Sequence, residues 1–286
     1  MEIVETVAQA RAITRAWRAQ GQSVGLTPTM GYLHAGHASL IRRAKEENDQ
    51  VVVSVFVNPT QFGPNEDLDK YPRDFARDVD LCSSLGVGLI FHPQPEAIYP
   101  PGYATYVEAP ALSVNLCGRS RPTHFRGVLT VVLKLFLILE PRRAYFGLKD
   151  AQQFFILKRM VEDLCLDLVM VPCPTVREPD GLALSSRNAY LSETERRVAP
   201  LIHQALVRAE AMARAGVTQV AEIKSAMAEI LERQAPLIAK DYIEFVETEG
   251  LTVVEELTRD TLVAVAAYVG KTRLIDNFLW KGLDNK

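Results

Sequence analysis

The chain has 286 residues, 48% of them hydrophobic and 23% charged, with 32 Lys and Arg against 35 Asp and Glu for a formal net charge of −3. This composition excludes a disordered or fibrous chain, and at roughly 150 residues per domain the length points to about two domains. The near-balanced charge argues against nucleic acid or an anionic membrane surface as partner, since both need a basic footprint.

The opening segment carries acidic residues ahead of any basic one and no small-residue cleavage site after an apolar stretch, so it does not read as a signal peptide. A first strand is expected near residues 23–26, then a glycine-bearing turn and an amphipathic helix through Lys45. Residues 51–57 (VVVSVFV) are apolar at six of seven positions and rich in β-branching. That suits a strand covered on both faces, and so a parallel sheet. Phe75, Val79, Cys82 and Leu85 recur at spacings of 4, 3 and 3, which predicts a helix over 73–85 stopped by Gly86. A strand at 88–91 ends at His92-Pro93. Residues 125–139 are apolar nearly all round and predict a buried helix closed before Pro141. Lys134 interrupts that run, which is shorter than the ~20 residues a bilayer needs, so no membrane span is expected. A strand at 144–146, a helix at 152–164 and a strand at 166–171 follow. The alternation predicts an α/β fold with a doubly wound (Rossmann-like) parallel sheet and right-handed crossovers.

Pro172, Pro174, Pro179 and Gly181 mark a composition shift, which sets expected domains at residues 1–176 and 177–286. Ser192 and Glu195 form a capping box that should open one long helix to about residue 215. A second helix at 221–234 and strand-like runs at 242–246, 262–269 and 273–278 predict a smaller α+β C-terminal domain. The four cysteines, at 82, 117, 165 and 173, form no C-x-x-C pair and match no zinc spacing. They read as buried free thiols of a reducing cytoplasm.

Ligands of an open parallel sheet collect beyond the carboxyl ends of its strands, so the segments after each expected strand are the candidates. The first strand leads into Met30-Gly31-Tyr32-Leu33-His34-Ala35-Gly36-His37 and then the helix. His34 and His37, three apart, share one helical face. They stand at a helix start, where unpaired N–H groups and roughly half a positive charge favour phosphate. Gly31 and Gly36 let a ligand approach the backbone. A polyphosphate suits this construction. The pair is also compatible with plain helix capping, or with part of a metal site, although no H-E-x-x-H, cysteine or carboxylate stands nearby to complete one.

After the second strand, Gln61 offers a donor and an acceptor together, suited to a hydroxy acid, while the Asn58-Pro59 ahead of it is by itself a turn. After the strand at 144–146 come Gly147, Leu148, Lys149 and Asp150. Lys149 is a movable point cation for phosphate, Gln153 lies one turn further along its face, and Asp150 is placed to cap the next helix. A capped helix with a solvated lysine is the alternative. At the domain boundary, between Val176 and Asn188, Leu184-Ser185-Ser186-Arg187 puts hydroxyls and a guanidinium on a Gly/Pro-hinged loop suited to a triphosphate. In isolation S-S-R is common surface sequence. The P-loop, dinucleotide and nucleophile-elbow patterns are missing from the sequence.

The ordered blocks PTMGYLHAGH, VSVFVNPTQF, RPTHFRGV, YFGLKDAQQ and DGLALSSRNAYLS, spanning residues 28–191, together with RLIDN near the C-terminus, resemble the pantothenate synthetase (pantoate–β-alanine ligase) family. His34-x-x-His37 also resembles the H-x-G-H motif of the wider nucleotidylyltransferase superfamily, and Ser185-Ser186-Arg187 its mobile phosphate-binding motif. The resemblance implies attack of pantoate on the α-phosphorus of ATP, then aminolysis of pantoyl adenylate by β-alanine to pantothenate and AMP. On the matching positions it implies that Met30, Gly31, Tyr32, Leu33, His34, Ala35, Gly36, His37, Gly147, Leu148, Lys149, Asp150, Val176, Leu184, Ser185, Ser186 and Arg187 bind ATP. His37 is the proton-donor position, with His34, Lys149 and Arg187 supplying further donors and charge. Gln61 and Gln153 match the pantoate glutamines, and Gln61 also lies beside the β-alanine position. The resemblance further implies a cytoplasmic homodimer using Mg2+ held by phosphate oxygens and water, with no protein metal ligand. Leu148 stands where many members have a polar or acidic residue, and Cys117 where many have Glu. The alternatives are another H-x-G-H nucleotidylyltransferase that releases its nucleotidyl product, and a nucleotide-binding regulator without turnover.

Overall fold

In a computed structural model of the protein, residues 1–64 and 66–282 are described. The chain forms two compact units: one of Met1–Pro110, Arg121–Gly147 and Ile156–Pro174, the other of Ala111–Ser120, Leu148–Phe155 and the chain from Thr175 onward.

The first unit is built on β1 (Glu2–Val4), β2 (Val24–Thr29), β3 (Gln50–Val55), β4 (Leu89–Phe91), β5 (Arg143–Gly147) and β6 (Val169–Cys173), all parallel, in the order β1-β4-β3-β2-β5-β6. This is the doubly wound sheet that the alternation predicts. The connecting helices are α1 (Val7–Ala19), α2 (Ala35–Glu47), α3 (Phe75–Ser84), the single turn α4 (Pro95–Ile98), α7 (His124–Leu139) and the part of α8 (Ala151–Asp163) from Ile156 on; the single turns α5 (Pro110–Ser113) and α6 (Cys117–Ser120) fall, apart from Pro110, in the second unit. Val51, Val53 and Val55 of β3 pack with Leu40, Ile41 and Ala44 of α2 and Cys82 of α3. Val52 and Ser54 point the other way and are buried too, which is why the strand shows no alternation in sequence. Twelve of the sixteen residues of α7 are buried, and the helix ends at Glu140 in a left-handed conformation. β3 and β5 lie on opposite sides of β2. The strand order therefore reverses at β2, and a sheet of this kind takes its ligand at such a reversal.

β1, α1 and the single-turn helices α4, α5 and α6 lie outside the predicted set, and one predicted strand is displaced. Residues 164–166 close α8 instead of opening β6: Cys165 is left-handed at φ 51° and Leu166 N–H donates to Val161 at 3.0 Å. This turn also leaves Cys165 exposed, whereas Cys82, Cys117 and Cys173 are the buried free thiols expected.

The second unit contains α9 (Glu193–Val198), α10 (Leu201–Arg214) and α11 (Val220–Glu232), then an antiparallel sheet of β7 (Ile238–Glu247), β8 (Thr261–Val269) and β9 (Thr272–Trp280) in the order β7-β8-β9. Ile202, Leu206, Ile223 and Met227 of the helices share one core with Phe245, Val263, Val265 and Leu274 of the strands. The Ser192–Glu195 capping box is present. The single helix expected to run from it is two helices, because Pro200 has no N–H to continue the ladder and the chain turns at Ala199-Pro200. No helix among the described residues is long and apolar enough to cross a membrane.

Candidate functional site

At the carboxyl end of β2, where the strand order reverses, the backbone turns sharply. Gly31 has φ 82° and Tyr32 φ 51°. A Cβ on Gly31 would lie 2.9 Å from Asp78 Oδ2, so both the conformation and the space require glycine. Asp78, on α3 and 1% exposed, accepts from the Tyr32 N–H at 2.8 Å and the Leu33 N–H at 2.7 Å. Burial outweighs the opposing pull of the Leu33 and Tyr32 amides and holds its carboxyl above the usual carboxylate range. The Leu33 side chain is buried in the core, so that residue can offer a ligand only its backbone.

The turn delivers His34 as the N-cap of α2. Its Nδ1 accepts from the Gly36 N–H at 3.1 Å, and Nδ1 of His37 accepts from the His34 N–H at 3.3 Å. Two imidazoles thus do the work of a capping box. The capping alternative describes their Nδ1 atoms. A nitrogen that accepts carries no proton, so each ring in this arrangement holds its proton on Nε2 and presents Nε2–H as a donor. The two rings lie 4.1 Å apart, centroid to centroid. The site therefore places two imidazoles at the positive end of a thirteen-residue helix, an arrangement suited to phosphate oxygens.

Gln61 closes the short 3-10 turn Pro59–Gln61 and is buried. Its Nε2 donates to Met30 Sδ at 3.0 Å and its Oε1 accepts from Asn58 at 3.2 Å. Its backbone carbonyl lies 2.9 Å from His124 Nδ1 and accepts from Arg121 at 3.3 Å. Asn58, 1% exposed, organises the turn: its Oδ1 also accepts from Thr60 N and from the Tyr99 hydroxyl at 2.8 Å. Burial pushes the Tyr99 pKa up to about 12, which keeps that hydroxyl a neutral donor. In the first unit, then, Met30, His34 and His37 lie on one turn and its helix start, and Gln61 touches Met30.

In the second unit, Leu148–Asp150 form a 3-10 turn directly ahead of α8, and the Lys149 ammonium lies 3.6 Å from the Asp150 carboxylate. Gln153 is half-buried one turn on, whereas its neighbour Gln152 is spent on structure, bonding Cys117 N, Leu112 O and Asn115 O. Val176 and Leu184 are brought together: the Leu184 N–H donates to Val176 at 3.0 Å, and Arg177 bridges Ala183, so the segment doubles back on itself. Ser185 then caps the 3-10 turn Ser186–Tyr190 by accepting from the Arg187 N–H at 3.2 Å. In the first unit, Gly147 at the end of β5 has open space where a side chain would stand. Cys117 Sγ lies 3.3 Å from the Tyr242 hydroxyl and within 3.8 Å of Arg273, whose charge is met by Asp241 at 2.8 Å.

The supporting residues Asp78 and Arg121 are not singled out by sequence reasoning, and Asn58 enters it only as part of a turn. The Asn-Pro turn signal marks Asn58, but nothing local marks an aspartate whose partners stand 45 and 46 residues away. Asp78→Asn turns one acceptor into an NH2 that confronts a backbone N–H. A loss of about 1–3 kcal/mol is expected, read as a lower urea midpoint at unchanged slope. An unshifted midpoint would remove Asp78 from the support of the turn.

The family profile described as Pantoate-beta-alanine ligase matches residues 2–279. The chain is 55% identical over 277 residues to the pantothenate synthetase of Thermotoga petrophila, covering 97% of this chain and 99% of that one. Among solved structures, it is similar to pantothenate synthetase from Thermus thermophilus at 47% identity and TM-score 0.92, over 97% of this chain and 99% of that one. It is also similar to the pantoate-beta-alanine ligase of Francisella tularensis complexed with beta-gamma ATP and beta-alanine, at 38% identity and TM-score 0.80, over 98% of this chain and 97% of that one.

Proposed function

The chain belongs to the pantoate-beta-alanine ligase family, and from that premise we propose how its own residues carry out the ATP-dependent joining of pantoate to β-alanine. A carboxylate oxygen of pantoate attacks the α-phosphorus of ATP, and the bond to the bridging oxygen breaks. Pyrophosphate leaves and pantoyl adenylate remains. The amine of β-alanine then attacks the acyl carbon, the mixed-anhydride C–O bond breaks, and AMP leaves as the nitrogen gives up a proton. In-line displacement at phosphorus asks the protein for position and charge, not for a nucleophile.

The observation that carries the reading is the pairing of His34 and His37 at the start of α2, each Nδ1 accepting a backbone N–H of the cap at the end of β2. In this reading the two rings take phosphate oxygens, with His37 donating a hydrogen bond to the leaving pyrophosphate. Lys149 and Arg187 add positive charge to the triphosphate. The backbone from Met30 to Gly36, with Gly147, Leu148, Asp150, Val176, Leu184, Ser185 and Ser186, lines the nucleotide, and Gln61 and Gln153 hold pantoate. The functional division runs at residues 1–176 and 177–286.

Mg2+ belongs to the same reading and would spread charge on the departing pyrophosphate. Among the described residues no three His, Cys, Asp or Glu side chains are grouped for a metal ion. In this reading the ion would be held by phosphate oxygens and water, which asks for no dedicated protein cage. A cytoplasmic homodimer completes the proposal. The test is AMP release by the purified protein with ATP and Mg2+. Release that needs both pantoate and β-alanine supports the reading, and release indifferent to either overturns it.

A further inference from the structure

β9 carries two adjacent buried polar residues, Asp276 and Asn277, 3% and 8% exposed. Along a strand, neighbours point to opposite faces. Asp276 shares a face with Leu274, a member of the helix–sheet core, and Asn277 takes the other. A buried carboxylate and a buried amide in such a strand are costly unless each is bonded, and here each is bonded to a different turn.

The Asn277 amide donates to the carbonyls of Leu148 and Lys149, both at 2.9 Å. Asp276 takes a two-point contact from Arg177, at 2.5 and 3.0 Å, and accepts its own neighbour's N–H at 2.8 Å. Arg177 in turn donates to the Gly181 carbonyl at 3.1 Å, and so closes the doubled-back segment that joins Val176 to Leu184. On the far side, His203 Nδ1 lies 3.7 Å from Asp276, and its ring packs where a Cβ on Gly181 would stand.

We propose that Asp276 and Asn277 are positioning residues for the nucleotide: Asn277 holds the Leu148–Asp150 turn, and Asp276, through Arg177, holds the segment that ends in Ser185–Arg187. The physical reason lies in the peptide group. In a trans peptide the C=O and the following N–H point in opposite directions. An amide that gathers the carbonyls of Leu148 and Lys149 on the strand side therefore turns the N–H groups of Lys149 and Asp150 away from the strand. Because both turns hang from neighbouring residues of one strand, their spacing is set by a single rigid element. The proposal rests on the reading of these turns as nucleotide-binding.

The test compares Asn277→Ala with Lys149→Ala in the full-length protein, measuring KM for ATP and for β-alanine. Asn277→Ala is expected to raise the KM for ATP about tenfold or more while the KM for β-alanine stays within about twofold, a split that loss of structure alone does not produce. If Asn277→Ala does not fold, Asp276→Asn, which keeps the volume and one acceptor oxygen, carries the same comparison. A raised KM for ATP in Lys149→Ala, with an unchanged one in the folded positioning variant, overturns the proposal alone. An unchanged value in both overturns the reading of the turn as well. An equal rise for both substrates assigns the pair to structure only and overturns the proposal.

Discussion

His37→Ala is expected to slow formation of the acyl adenylate by about 10²-fold or more, the scale for losing one preorganised transition-state donor. The substitution removes two things. One is the Nδ1 acceptor for the His34 N–H, at 3.3 Å, a capping contact on the scale of about 1 kcal/mol in stability. The other is the Nε2–H donor, which in the proposed mechanism meets charge only as pyrophosphate departs. The two losses are separable. Pantoate-dependent pyrophosphate release reports adenylation, reaction of preformed pantoyl adenylate with β-alanine reports the second step, and a urea titration reports stability. Adenylation should collapse, the second step should stay near wild type, and the midpoint should move only slightly. An adenylation rate near wild type would take His37 out of the chemistry and leave it a capping residue.

Gly127→Ala should damage pantoate use from a position that touches no substrate. Gly127 lies on α7 where the helix meets the Pro59–Gln61 turn, and a Cβ there would stand 2.6 Å from the Gln61 Cα and closer still to the Thr60 carbonyl. Both neighbours are backbone, so the turn itself has to move. The Asn58 bond to the Gly127 carbonyl, at 3.1 Å, and the Asn58 contact with Gln61 are strained with it. Overpacking of this kind costs about 1–3 kcal/mol. A displacement of about 1 Å in a positioned group costs up to about 10²-fold in rate. The expected result is a folded protein with a lower unfolding midpoint, a pantoate KM raised at least about tenfold, and a KM for ATP much less affected. Equal effects on all substrates, or none, would detach Gln61 from pantoate binding.

Features that depend on neighbours in sequence are legible without coordinates. The valine-rich run at 51–55, broken only by Ser54, announces a strand covered on both faces. The periodic Phe75, Val79 and Cys82 announce a helix, and Ser192 with Glu195 announces a helix start. His34 and His37 stand out because three residues on a helix make one face. Two elements depart from expectation because one local signal overrules another: Pro200 splits the helix after Ser192, and the turn at Cys165 delays β6.

The amino-acid sequence by itself thus determined the α/β alternation, the smaller α+β part, the family, and the imidazole pair at the end of a strand, because each is carried by residues within a few positions of one another. Only the tertiary structure decided that β2 sits where the strand order reverses, and that Asp78 shapes the turn before His34. The same holds for Gly127, which must lack a side chain beside Gln61, and for Asn277, which reaches carbonyls 128 and 129 residues away. The reason is physical: a hydrogen bond or a close backbone contact depends on separation in space, and a partner a hundred residues distant leaves no periodicity or spacing in the chain to mark it.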